Sequence, residues 1–202
     1  NGKKVYQELY GNSCVPIESI PPTRQQIVSS RSFGSDLKDF HELNQALTSL
    51  ARKAVNKLND HKLATTTITV FIYTNPHKKN KPCIHLSKTV GMTIAIQDET
   101  QLIPLISKIL KIIYKPGYLF YKGGIVLSNL VKNYPQQDLF LTNKGNQRKI
   151  GSANKSNAIR SVNKRFNESL KYASEVGNNK WKPRADFRSN RYTTSWTELL
   201  VI

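Results

Sequence analysis

The chain has 202 residues, enough for one domain of ordinary size and an appendage. Its 31 Lys and Arg against 13 Asp and Glu leave a formal charge of +18, which points to a polyanionic partner, most simply a phosphate backbone. No run approaches the ~20 apolar residues of a membrane span, Asn1-Gly2-Lys3-Lys4 lacks the apolar core of a signal peptide, and two distant cysteines, Cys14 and Cys83, exclude a disulfide scaffold, so a soluble cytoplasmic protein is expected.

Residues 1–23 carry Pro16, Pro21 and Pro22 and read as an extended connector with no core of its own. Residues 26–33 have a β-branched start and then small polar side chains, a first strand ending at Gly34. From Ser35 or Asp36 an acidic first turn (Asp36, Asp39, Glu42) opens a helix with Phe40, Leu43, Leu47, Leu50, Ala54 and Leu58 at spacings of three and four. That is one buried stripe, with Lys53 and Lys57 at the basic end.

Residues 65–74 are a β-branched and aromatic run of strand length, 75–82 a lysine-bearing turn, and Val90, Met92, Ile94 and Ile96 alternate, so 66–96 forms a hairpin. A second helix is capped by Asp98 or Thr100. Pro104 is best tolerated in a first turn, where amides lack intrahelical partners, which favours Thr100. The inner face of this helix is Leu102, Leu105, Ile106, Ile109, Leu110 and Ile113, and Lys115-Pro116-Gly117 closes it. Residues 118–130 form a fourth strand in which Gly123-Gly124 permits a bulge or a close backbone approach.

The order is βαββαβ, an α+β fold of the split β-α-β type: a four-stranded antiparallel sheet with two helices on one face and the other face open. A partly ordered basic extension follows. Residues 141–191 hold thirteen Lys and Arg against three acids, with nine asparagines and few large apolar side chains, and cannot bury much. A short helix is expected within 157–174, and 181–200 regains aromatic residues that would return to the domain.

Nothing here carries catalysis. Phosphoryl transfer needs clustered carboxylates or a P-loop, and hydrolysis needs an oriented nucleophile and base; neither pattern occurs. Cys83 and His85 are two apart, but a metal needs three or four ligands, and the other histidines are scattered, so no metal and no cofactor is expected. What remains is electrostatic. Residues 1–130 alone carry seventeen basic and eight acidic side chains. Arg24, Arg31, Lys78, Lys79, Lys81, Lys88 and Lys122 fall in strands or loops, away from the helix faces expected to cover the sheet. They are placed to meet phosphates, and Ser29, Ser30 and Ser32 to add neutral hydrogen bonds that fix register without reading sequence. Any one lysine serves equally as a solvated surface charge.

Gln136-Gln137-Asp138-Leu139-Phe140 follows Tyr134-Pro135 in a segment too polar for a core. Its Leu-Phe pair either anchors in a partner's pocket, with Gln136 adding a hydrogen bond, or rests on its own domain. Two rivals to a duplex grip stand beside it. One is an RRM-like module for single-stranded RNA or DNA, which would stack bases on Tyr118 and Phe120; the other is a protein-binding adaptor whose charge serves solubility.

Several stretches fall in the order of a known family: Glu8-Leu9-Tyr10-Gly11 with Cys14, Pro22-Thr23-Arg24-Gln25-Gln26-Ile27, Ser30-Arg31-Ser32-Phe33-Gly34 and Ile113-Tyr114-Lys115-Pro116-Gly117-Tyr118. They continue with Tyr121-Lys122-Gly123-Gly124-Ile125-Val126-Leu127, the pentapeptide ending at Phe140, and Arg191-Tyr192-Thr193-Thr194. Over nearly its whole length the chain resembles the C-terminal part of UmuC-type Y-family translesion DNA polymerases, the family of the DNA polymerase V catalytic subunit.

The resemblance implies a thumb end and linker in 1–23, a DNA-binding little finger domain in 24–130, and a C-terminal extension with a clamp-binding peptide in 131–202. The little finger would grip primer-template DNA. Gln136, Asp138, Leu139 and Phe140 match the peptide that docks on the β sliding clamp, with Gln137 where leucine is usual. The extension would meet UmuD′ and RecA. Palm and fingers fall outside this chain, so the resemblance implies a non-catalytic part of an error-prone enzyme of the SOS response and DNA repair, cytoplasmic and nucleoid-associated.

Overall fold

The structure, a computed structural model, describes residues 2–14, 23–78, 82–132, 155–166, 169–177, 181–183 and 187–199. It begins with a helix where an extended connector is expected: α1, Gly2–Leu9. Val5, Tyr6, Leu9 and Tyr10 recur at helical spacing, and that one-sided stripe is fully compatible with a helix although all four side chains are exposed.

Strand β1 runs Ile27–Leu37, past the glycine where it was expected to stop. Asp36 therefore lies in the strand and pairs with Lys78 rather than opening a helix. Helix α2, Phe40–Asp60, is capped by Asp39, whose carboxylate accepts from the His41 amide at 3.1 Å. Strands β2, Leu63–Thr74, and β3, His85–Ile96, form the expected hairpin. Helix α3, Glu99–Ile113, is capped by Asp98, not by Thr100. The Asp98 carboxylate takes both the Thr100 amide at 3.0 Å and its hydroxyl at 2.7 Å, and this double acceptor outweighs the cost of Pro104 in the second turn. Strand β4, Phe120–Lys132, completes the sheet.

The α+β architecture is the one expected. The sheet order is β1-β4-β2-β3 with every neighbouring pair antiparallel, so the last strand lies between β1 and β2. Helices α2 and α3 cover one face. On that face the cross-strand rows are Ile27, Leu127, Ile68 and Val90; then Ser29, Ile125, Val70 and Lys88; then Arg31, Gly123, Ile72 and Leu86. The central residues of these rows join Leu43, Leu47, Leu50, Leu58, Leu102, Ile106 and Leu110 in one core. Gly123 gives the close approach that the paired glycines permit: a Cβ there would stand 2.9 Å from Phe33 Cζ. The β1–β4 pairing shifts register between Ser32 and Leu37, with further shifts between Thr65 and Thr67 in β2–β3 and between Tyr73 and Thr74 in β2–β4.

Helix α2 buries more than the single stripe read from its leucines. Gln45, Thr48 and Arg52 are also buried, and the C-terminal segment lies on Gln45 and Arg52. A helix, α4, spans 155–165. Its Ser156 hydroxyl donates to Asp98 at 2.6 Å. Beyond it, Gln45 Nε2 donates to the Glu175 carbonyl at 2.9 Å, Arg52 Nη1 to the Leu170 carbonyl at 3.3 Å, and Arg52 Nε sits 3.1 Å from the Glu175 carboxylate. Trp181 enters the core, while Phe187 and Trp196 stay exposed. The expected return of 181–200 to the domain is thus made by Trp181.

Burial pushes the Glu99 carboxyl above the usual carboxylate range, against the opposing pull of Tyr172, Arg52 and Arg160. A carboxyl whose folded pKa is raised binds its proton more tightly when folded, so its contribution to stability is present at low pH and is lost as pH rises through the folded pKa. Glu99→Gln should therefore raise the Tm at neutral pH and leave a flatter stability curve from pH 4 upward. Equal Tm values for the two proteins at neutral pH would count against this.

Candidate nucleic-acid interface

Side chains alternate across a strand, so cross-strand partners share a face. The face without helices therefore reads, from β1 to β3, as Ser32, Lys122, Tyr73 and His85; then Ser30, Gly124, Phe71 and Ser87; then Val28, Val126, Thr69 and Thr89. A fourth row holds Ser128, Thr67 and Gly91. Hydroxyls dominate this surface. Thr69 and Thr89 hydrogen-bond across the strands at 2.8 Å, and Asn129 reaches the Thr67 hydroxyl at 3.0 Å.

One patch is aromatic. The Phe71 and Tyr73 rings stack at 4.9 Å, and Tyr73 meets His85 at 4.4 Å. Gly124 makes room for this: a Cβ there would overlap the Ser30 side chain and the Phe71 ring, so only glycine lets Phe71 lie down across β4. Phe71 is in consequence nearly buried on an otherwise open surface.

Of the residues singled out in the sequence, Ser30, Ser32 and Lys122 stand together on this face. Ser29 is buried on the opposite one. Arg31 and Lys88 also take the helix-bearing side, opposite Gly123 and Val70, which departs from the expectation that the strand cations point away from the helices. Both are on edge strands, and their side chains reach solvent past the rim of the helix layer. Arg24 is exposed in the lead-in to β1. Lys78 follows β2 and holds Asp36 across a cleft of about 450 Å³ that Tyr118 and Pro116 also line. Lys79, Lys81, Gln136, Asp138, Leu139 and Phe140 lie outside the described residues.

The two aromatic residues on which the RRM-like reading would stack bases, Tyr118 and Phe120, are not on the open face. Phe120 is fully buried opposite Leu37 and Thr74, and Tyr118 precedes the strand and rests on the core. Thr69, Phe71, Tyr73, Thr89 and Val126 were missed in the sequence. The signal was present: Phe71 and Tyr73 alternate with Val70 and Ile72, which marks opposite faces.

The contacts of the described C-terminal residues fall on α2, on the start of α3 and at Gly34. Among the described residues, none of these contacts falls on Ser30, Ser32, Phe71, Tyr73 or Lys122.

Residues 24–139 match the impB/mucB/samB family C-terminal domain, and residues 156–202 match a domain of unknown function, DUF4113. Protein UmuC of Salmonella typhimurium is 30% identical over 202 residues, which is 99% of this chain and 47% of that protein. Protein ImpB of Salmonella typhimurium is 26% identical over 98% of this chain and 46% of its own length, and Protein MucB of Escherichia coli 28% identical over 98% and 46%. The chain spans about half the length of the curated relatives it matches. An insertion ternary complex of Dbh DNA polymerase aligns with a TM-score of 0.45 and 16% identity over 66% of this chain and 36% of that one.

Proposed function

Since this chain belongs to the impB/mucB/samB family, matched over its C-terminal domain by residues 24–139, we propose that it is the DNA-gripping, non-catalytic part of a UmuC-type Y-family translesion polymerase. Residues 24–130 act as its little finger, 1–23 as the thumb end and linker, and 131–202 as the C-terminal extension. Catalysis is placed in the half of the relatives that this chain does not match. The protein works on cytoplasmic, nucleoid-associated DNA, in DNA repair and the SOS response.

The observation that supports this most is the open sheet face, polar and clear of the contacts that the described C-terminal residues make, on a chain of charge +18. Ser30 and Ser32 offer neutral donors beside Lys122, a set that binds phosphates without reading bases. Arg24, Lys78, Lys79 and the edge cations Arg31 and Lys88 extend the positive rim. With about six phosphates neutralised, affinity for primer-template DNA falls roughly a thousandfold between low and moderate salt. Lys122→Ala should bind more weakly at every ionic strength, with a log–log salt slope shallower by about one. Binding by Lys122→Ala that overlays the parent across the salt series would remove Lys122 from the grip.

Gln136, Asp138, Leu139 and Phe140 are assigned to the β sliding clamp on the pattern of the peptide alone. The rest of the extension is assigned to UmuD′ and RecA. Leu139→Ala with Phe140→Ala should lose the clamp in a pull-down, because the two side chains supply the apolar anchor. Undiminished recovery would leave the pair to its own domain.

A further inference from the structure

The segment that matches the domain of unknown function links the helix layer to the edge strand of the proposed grip. On α2 it is fastened by the Glu175 carboxylate and carbonyl and by the Leu170 carbonyl, which meet Arg52 and Gln45. Trp181 then fills the core at 3% exposure. The next residue, Lys182, lays its carbonyl over Gly34 so closely that a Cβ at that position would overlap it. Gly34 stands two residues beyond Ser32, inside the stretch where the pairing of β1 with β4 shifts register. A strand with its ladder interrupted is held there less by hydrogen bonds and more by what rests on it.

We propose that the C-terminal segment is a positioning strap for β1. Anchored on α2 through Glu175 and in the core through Trp181, it seats against Gly34 and fixes the strand that carries Ser30 and Ser32. This assignment rests on the reading of the open face as a DNA grip, and it gives the segment a part in DNA binding without any contact to DNA.

The two tryptophans supply the readout, since Trp181 is buried and Trp196 is 90% exposed. In the full chain carrying Trp196→Phe, acrylamide quenching reports on Trp181 alone. Adding Gly34→Ala should open Trp181 to quencher, with the far-UV circular dichroism of the sheet and helices kept. Affinity for a blunt DNA duplex should fall about fivefold, with the log–log salt slope shallower by at most about one, because the displaced strand carries one cation, Arg31, between the neutral Ser30 and Ser32. Glu175→Gln, at the other end of the strap, should produce the same pair of changes.

An exposed Trp181 with undiminished duplex affinity would overturn the proposal, making the segment a cover and nothing more. A Trp181 still shielded in both variants would overturn the seat at Gly34. A parent chain that binds duplex with no salt dependence would instead sink the grip reading, while tryptophan shielding would still report whether the strap is seated.

Discussion

Glu175→Ala is expected to destabilise the protein by about 3–5 kcal/mol, because it removes the carboxylate 3.1 Å from the Arg52 guanidinium in a site from which water is excluded. The two side chains are 6% and 4% exposed, so neither recovers hydration when its partner is removed. The same principle predicts the opposite sign for the paired change. Arg52→Met with Glu175→Leu takes both charges out of the interior and should be neutral or stabilising if the apolar side chains fill the space. Urea denaturation of the three proteins measures this directly. A Glu175→Ala cost below about 1 kcal/mol is the value of a surface ion pair, and it would mean that the segment is not docked in solution.

Gly124→Val should be the most damaging single change on the sheet. Strand β4 has neighbours on both sides, and a Cβ at 124 runs into Ser30 on one and Phe71 on the other, so at least one pairing must spread. Overpacking of this kind costs about 1–3 kcal/mol or somewhat more, and it moves two of the residues that line the open face. DNA binding should therefore fall with stability. Gly91→Val is the matched control, an added side chain on β3 with nothing within 4 Å, and it should be close to neutral. If both valines cost the same, the close approach at Gly124 is not what limits that position.

Most of the fold was legible because its signals are local. The leucines of α2 repeat at three and four, the β2–β3 hairpin has β-branched strands about a lysine-bearing turn, and α2 and α3 each have an acid at the start. Choosing among neighbouring candidates was harder. Asp36, Asp39 and Glu42 all suit a helix start, and only the backbone at Asp39, extended with its carboxylate on the His41 amide, selects the cap. Asp98 won over Thr100 for the same reason.

Facing was less legible than extent. Alternation says that Ser29 and Ser30 point oppositely, but Ile27 and Val28 are both apolar, so β1 does not announce which parity meets the helices. Pairing with Ile125 and Gly124 decides it, placing Ser29, Arg31 and Lys88 on the side away from Ser30 and Lys122. In β2 both faces carry apolar side chains, which hid the Phe71 and Tyr73 patch. The strap was invisible for a different reason. Gln45 and Glu175 meet across 130 residues of sequence, and a basic, asparagine-rich stretch gives no sign that a single glutamate and a single tryptophan within it are buried.

The most direct test of the account is a residue-by-residue map of where duplex DNA touches the protein, read as backbone amide shifts on adding a primer-template. Ser30, Ser32, Thr69, Tyr73 and Lys122 should respond, while Leu47, Leu50 and Arg52 on α2 stay still. Shifts confined to α2, α3 and the strap, with β4 and β2 silent, would contradict it.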